Sequence, residues 1–162
     1  MRRAPVDAER QQLHSTISLG LASARNRERV LEETCIPIQS DGDIVGARQN
    51  GRGLAAQLGF SPSELTLIAT AISELARNIL LYAKRGEIIL KLVEQGETRG
   101  IIVTAHDKGP GIPDISRALE AGFSTSRSLG LGLPGVRRPM DEFEIVSDVG
   151  LGTTVTVKKW AK

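Results

Sequence analysis

Ser61-Pro62-Ser63-Glu64-Leu65-Thr66-Leu67-Ile68-Ala69-Thr70-Ala71-Ile72-Ser73-Glu74-Leu75-Ala76-Arg77-Asn78-Ile79-Leu80 begins with the form of a capping box, Ser-x-x-Glu, and carries proline at the first helical position. Leu65, Ile68, Ala69, Ile72, Leu75, Ala76, Ile79 and Leu80 then recur at spacings of three and four. This predicts one long amphipathic helix from about Pro62 to Ala83. Glu74 and Asn78 are four residues apart, so they share a face beside the apolar stripe. Polar side chains so close to a core need a partner.

Working outward, Arg85-Gly86 opens a strand over Glu87 to Glu94, Gln95-Gly96-Glu97 is a turn, and Gly100 to His106 is the return strand of a hairpin. Asp107-Lys108-Gly109-Pro110-Gly111 follows as a tight turn, and Asp114 caps a short helix through Leu119. Gly122 to Leu133 is rich in Gly and Ser and reads as a mobile loop, followed by a short helix from Pro134 to Met140. Two more strands, Glu142 to Ser147 and Thr153 to Trp160, flank a turn over Asp148 to Gly152. Upstream, Cys35 to Gln39 is β-like, and Asp41 or Asp43 caps a helix to about Leu58 with Ile44, Ala47, Leu54, Ala55 and Leu58 on its stripe. Residues 1–33 are polar, with weak apolar spacing at Leu13, Ile17, Leu19 and Leu21. They read as a loosely attached helix or a disordered N-terminal extension, leaving residues 34–162 as the folded domain. The expected architecture is an α/β two-layer sandwich: a mixed, mostly antiparallel sheet with helices on one face.

Composition narrows the function classes. A chain of 162 residues with 40% hydrophobic and 25% charged content suits a globular domain that needs no staples. Its net charge of +2, with no basic run interleaved with aromatics, argues against nucleic acid as a partner. No uninterrupted apolar run approaches the roughly 20 residues that cross a bilayer, and Met1-Arg2-Arg3 is followed by no apolar segment of a signal peptide. A single cysteine, Cys35, is expected as a small buried hydrophobe, in keeping with a reducing, cytoplasmic compartment.

Gly130-Leu131-Gly132-Leu133-Pro134-Gly135 matches the letters GxGxxG, but no strand precedes it and too little chain follows for a dinucleotide-binding unit. No P-loop and no HRD motif of eukaryotic-type kinases occurs. The order of the motifs is more telling. Glu74-x-x-x-Asn78, Asp107-x-Gly109-x-Gly111, Gly130-x-Gly132 and Gly152-Thr153-Thr154 follow one another over about 80 residues. This series resembles the N, G1, G2 and G3 boxes of the GHKL ATPase superfamily, whose ATP-binding domain is the Bergerat fold. Ala71 to Asn78, Asp107 to Ile115, Gly122-Phe123-Ser124-Thr125-Ser126, Gly132 to Val136 and Met140-Asp141-Glu142-Phe143 further resemble the small bacterial anti-sigma factor kinases, closest to stressosome switch serine/threonine kinases of the RsbT type. The likeness covers about Cys35 to Lys162.

The resemblance implies an ATP- and Mg²⁺-dependent protein kinase with Glu74 as general base and Asn78 as the magnesium ligand. It implies that Asp107 accepts the adenine amino hydrogen, that Gly109 and Gly111 pass beneath the base, and that Thr153 bonds adenine directly or through water. Gly130 and Gly132 would offer backbone N–H groups to the phosphates, and Gly122 to Leu131 would form the ATP lid. Arg127 or Arg77 either contacts the phosphates or is a solvated surface arginine. His106 and Lys108 are expected to face solvent, and Tyr82 and Trp160 to pack. The implied substrates are STAS-domain scaffold or antagonist proteins of the stressosome, with the released kinase activating a downstream phosphatase or other signalling enzyme. No membrane partner is implied. The competing expectation is an anti-sigma factor of the same fold that sequesters a sigma factor.

Overall fold

The computed structural model describes residues 14–19, 28–120 and 132–162. In chain order these form β1 (His14–Leu19), β2 (Arg29–Ile38), α1 (Asp41–Ala56), α2 (Pro62–Asn78), a π-helical turn (Ile79–Ala83), β3 (Gly86–Gln95), β4 (Thr98–Asp107), α3 (Ile115–Ala118), α4 (Gly132–Arg137), β5 (Glu142–Asp148) and β6 (Gly152–Trp160). The six described strands make one sheet in the order β1-β5-β6-β4-β3-β2. Every ladder is antiparallel, so the sheet expected to be mixed has no parallel pair among the described residues. Ile88, Leu90, Ile101, Val103, Ala105, Phe143, Ile145, Val155 and Val157 alternate onto one face and meet the helices in a single core.

α2 is held at its start by the capping box legible in the sequence. The Ser61 hydroxyl accepts from the Glu64 N–H at 3.2 Å, and the Glu64 carboxylate accepts from the Ser61 N–H at 2.8 Å. With the π turn the helix runs 22 residues and is long and apolar enough to cross a membrane, yet Ile68, Ile72, Leu75 and Ile79 are closed off in the core. Beyond Asn78 the helix widens by one residue per turn. Such π segments often mark functional sites, and this one leaves Leu81 and Tyr82 half exposed while Ile79 stays buried.

Four local expectations need correction. Residues 14–19 are a strand on β5, and Arg29 to Glu33 begin β2. The Ile17 and Leu19 spacing of two is a strand period, and β2 is an edge strand, which tolerates the charges that made it look disordered. The N-cap of α1 is Ser40, because the chain leaves β2 only at Ile38. Asp43 instead accepts from the backbone N–H groups of Gln39 at 2.8 Å and Ser40 at 3.1 Å. Cys35 is exposed on the face of β2 away from the helices, where its thiol donates to Glu87 at 3.1 Å. That hydrogen bond, then partial burial and the nearby carboxylates, push the thiol above its ordinary value. The helix expected from Pro134 to Met140 is α4, which starts at Gly132, two residues earlier, and ends at Arg137, three residues earlier.

On the outer face of the sheet, Lys158 of β6 is buried between two carboxylates. Its ammonium pairs with Glu28 and lies 3.0 Å from Glu142, with the Trp160 ring centroid at 5.2 Å. Burial lowers its affinity for the proton, but the hydrogen bonds and charges of Glu28 and Glu142 more than reverse this, leaving it raised. This contribution to stability is therefore full at neutral pH and is lost only as pH rises through the raised value. Lys158→Met is expected to lower unfolding free energy by about 3 kcal/mol, because it strands the buried Glu142 carboxylate and removes the cation from the partly exposed Glu28; adding Glu142→Gln should recover part of the loss in urea denaturation.

β6 begins at Gly152 with φ +131°. A Cβ there would overlap the carbonyl oxygen of Asp107 and come within 2.8 Å of the Lys108 Cα. This close approach lets the ladder run to its last pair, Asp107 opposite Thr153. Gly152→Ala should cost roughly 2–3 kcal/mol from strained φ and backbone overlap, read as a lower urea midpoint with an unchanged m-value.

Candidate functional site

The far ends of β4 and β6 meet the C-terminal half of α2 around a cavity of about 300 Å³. Asn78 and Tyr82 reach it from the helix, Asp107 and Thr153 from the paired strand ends, Gly111 from the loop after β4, and Gly132 from the start of α4. The remaining wall is mainly apolar, so a few polar groups converge on an otherwise greasy space, as small-molecule sites do.

The strand end of the site is rigid for identifiable reasons. The Asp107 carboxylate accepts from the Gly109 N–H at 2.8 Å, closing the turn upon itself. Gly111 has φ +78°, and a Cβ there would lie 2.5 Å from the Asp148 carbonyl oxygen. The loop is pinned to the β5–β6 turn by the Gly150 N–H donating to the Pro110 carbonyl at 2.8 Å. A second pin is Ser147. Its hydroxyl oxygen accepts from the Ile112 N–H at 2.7 Å, lies 2.9 Å from the Thr153 hydroxyl, and donates to the Gly152 carbonyl at 3.3 Å. One buried serine thus ties the loop after β4 to both strands beside it.

The helix end carries the least settled polar group among the described residues. Glu74 lies one turn before Asn78 and is 3% exposed. Its Oε1 accepts from Arg77 Nη1 at 2.7 Å. Its Oε2 is buried and has no hydrogen-bond partner among the described residues. The other buried carboxylate oxygen without a hydrogen bond, Glu142 Oε2, has the Lys158 ammonium 3.0 Å away. An unmet buried acceptor costs about 1–3 kcal/mol, more when charged, so among the described residues Glu74 Oε2 is the atom that calls for a further donor.

Of the residues singled out from sequence, Asn78, Asp107, Gly111, Gly132 and Thr153 stand together on the cavity wall. Glu74 is set back from it by a helical turn, and Gly109 lies behind it against Ala83. Gly130, Arg127 and the stretch from Gly122 to Leu131 lie outside the described residues. Arg77 is engaged by Glu74. His106 is half-buried, with Nδ1 2.8 Å from the Thr154 hydroxyl, because alternation along β4 directs it onto the sheet's outer face. Tyr82 was expected to pack, but it lines the cavity with half its surface exposed. Its place four residues after Asn78 was the signal for that. Ser147 was missed; only its inward register on β5, opposite Thr153, marks it.

The family described as histidine kinase-, DNA gyrase B- and HSP90-like ATPase matches residues 64–161. The chain is 50% identical over 131 residues to the serine/threonine-protein kinase RsbT of Bacillus subtilis (strain 168), covering 81% of this chain and 98% of that protein. It is 34% identical over 121 residues to the anti-sigma F factor of Geobacillus stearothermophilus, covering 70% of this chain and 81% of that one. The anti-sigma F factor of Thermoanaerobacter sp. (strain X514) is 33% identical over 120 residues, 70% of this chain and 82% of its own. With an open antiparallel sheet, helices on one face and a cavity between α2 and the ends of β4 and β6, the chain belongs to the histidine kinase-, DNA gyrase B- and HSP90-like (GHKL) ATPase family, alongside RsbT and the anti-sigma F factors.

Proposed function

We propose that this protein is a cytoplasmic, ATP- and Mg²⁺-dependent protein serine/threonine kinase that phosphorylates STAS-domain stressosome proteins and, once released, activates a downstream signalling partner. The observation that carries the reading is the buried, unpartnered Oε2 of Glu74, one helical turn from a nucleotide-sized cavity. Half-identity to a serine/threonine kinase along nearly that protein's whole length supports the direction of transfer.

The residues suit the ligands. Asp107 and Thr153, held as a cross-strand pair, are an acceptor and a hydroxyl suited to the amino edge of adenine. Gly111 lines the cavity, and its freedom at φ +78° lets the loop that would carry a flat base pack closely on the Asp148 carbonyl. Among the described residues no three His, Cys, Asp or Glu side chains come together to hold an ion. A metal here would take most of its ligands from water and phosphate, as magnesium does, with Asn78 supplying a single amide oxygen. Bound there, magnesium would supply positive charge against the phosphates. Gly132, and Gly130 with it, would present backbone N–H groups to the phosphates.

The chemistry then falls to Glu74. Its Oε2 takes the proton as the seryl or threonyl O–H bond breaks. The hydroxyl oxygen forms the new bond to the γ-phosphorus, and the bond from that phosphorus to the β–γ bridging oxygen breaks, leaving ADP. A base positioned this way contributes typically 10²–10⁴-fold.

The competing reading, an anti-sigma factor that sequesters a sigma factor, is favoured by the 34% identity to anti-sigma F factors. Pulldown of STAS-domain proteins against sigma factors separates the two: a stoichiometric sigma complex without phosphate transfer would favour the anti-sigma reading.

Incubation with Mg-ATP and STAS-domain scaffold protein should give phosphoprotein, and Glu74→Ala should cut the rate by about 10²–10⁴-fold. Transfer that survives the substitution unchanged would remove Glu74 as base. Asp107→Asn should weaken ATP binding by about 10- to 100-fold in calorimetry, the value of a buried hydrogen bond that fixes a substrate edge. Unchanged affinity would count against Asp107 as the adenine contact.

A further inference from the structure

Arg77 was open to two readings, a phosphate contact or a solvated surface arginine. The geometry favours neither. Arg77 and Glu74 are three residues apart on α2, and their ion pair is lopsided: the Glu74 side chain is 4% exposed, that of Arg77 37%. The arginine reaches in from the surface to a carboxylate that cannot reach out.

A carboxylate has two chemically equal oxygens, and its terminal torsion is broad and roughly two-fold. Left alone, Glu74 would present either oxygen in a range of directions. With Oε1 held at 2.7 Å by Nη1, the plane of the group is set, and Oε2 becomes the oxygen without a partner. A buried carboxylate also needs a countercharge if it is to remain an anion and accept a proton. Among the described residues, the cation in contact with Glu74 is Arg77.

Resting on the kinase reading above, we propose that Arg77 is a positioning residue for phosphoryl transfer. It binds Oε1 of Glu74 and so commits Oε2 to the proton of the acceptor hydroxyl. Arg77 forms and breaks no covalent bond. The proton passes from the hydroxyl to Oε2, the hydroxyl oxygen bonds to the γ-phosphorus, and the electron pair of the broken phosphorus–oxygen bond leaves with ADP. The guanidinium keeps its hydrogen bond to Oε1 throughout.

The test is a double-mutant cycle on the full chain, with Mg-ATP and a STAS-domain scaffold protein as acceptor, and with urea midpoints recorded for every variant. Arg77→Gln is expected to lower kcat about 10- to 100-fold while leaving the KM for ATP within about 2-fold. Arg77→Lys, which keeps a cation, should recover most of kcat. In a Glu74→Gln background, Arg77→Gln should change the residual rate by less than about 2-fold, because the group it positions is gone. A raised KM for ATP with kcat intact would overturn the proposal in favour of a phosphate contact, and so would equal losses in both backgrounds. If Glu74→Gln is inactive but Arg77→Gln is fully active, the positioning role alone falls. If Glu74→Gln transfers phosphate as well as the unmodified chain, the general-base reading falls and Arg77's role with it. Should Arg77→Gln prove poorly folded, the comparison of Arg77→Lys in the two Glu74 backgrounds carries the same decision.

Discussion

The apolar stripe of α2 packs against the sheet with Ile68, Ile72 and Leu75 closed to solvent, and the helix so anchored holds Glu74 out of water as well. At about 100° per residue position 74 lies well round the helix from positions 72, 76 and 79, yet Glu74 is only 3% exposed. Each large side chain contributes about 1.5–3 kcal/mol by burial, whereas one unpaired carboxylate oxygen costs about 1–3 kcal/mol or more. The helix has apolar contact enough to hold an unsatisfied acid in place. Removing that packing would let Glu74 swing into water, where it would find any number of donors and lose its selectivity for one.

The opposite wall depends on a different constraint. Asp107 and Thr153 face the cavity because they close the β4–β6 ladder, and that last pair forms only because Gly152 lets two backbones approach. Ser147 then transmits the position of the strands to the loop after β4 through its bond to the Ile112 N–H. A hydrogen-bonded cluster of this kind is directional, so the strand end of the site is set by geometry. The helix end is set by burial, and there a single ion pair, Arg77 to Glu74, supplies the direction that packing alone lacks.

How legible each part was follows from how local its cause is. The start of α2 could be read because capping is local: Ser61 and Glu64 are three residues apart and satisfy each other in the structure. The β3–β4 hairpin could be read for the same reason, its two strands joined by Gly96-Glu97. β1 could not be read as attached, since its partner β5 lies more than 120 residues away and nothing in His14 to Leu19 names that partner. The same holds for Cys35, whose exposure is decided by β2 being the edge of the sheet. In the site, motif order marked Asn78, Asp107, Gly111, Gly132 and Thr153, all of which line one cavity. Ser147 carries no motif. Its part comes from register across two strands, which sequence spacing does not encode.

The π turn connects the two ends of the site. At the α-helical advance of about 100° per residue, position 82 falls on the same face as Asn78; the wider turn keeps that facing, with Ile79 in the core and Tyr82 on the cavity wall. The turn ends at Lys84, in the left-handed region at φ +68°, and the chain enters β3 at Gly86, directly opposite Asp107. Asn78 and Asp107 are therefore joined by a short and fully structured path: one π turn, one reversal, and one rung of the β3–β4 ladder. A change that straightened the helix into a regular α form would move Tyr82 and the entry into β3 together. The spacing between the helix wall and the strand wall is thus a property of the backbone between them, and both the buried acid and the cavity-lining Asp107 take their places from it.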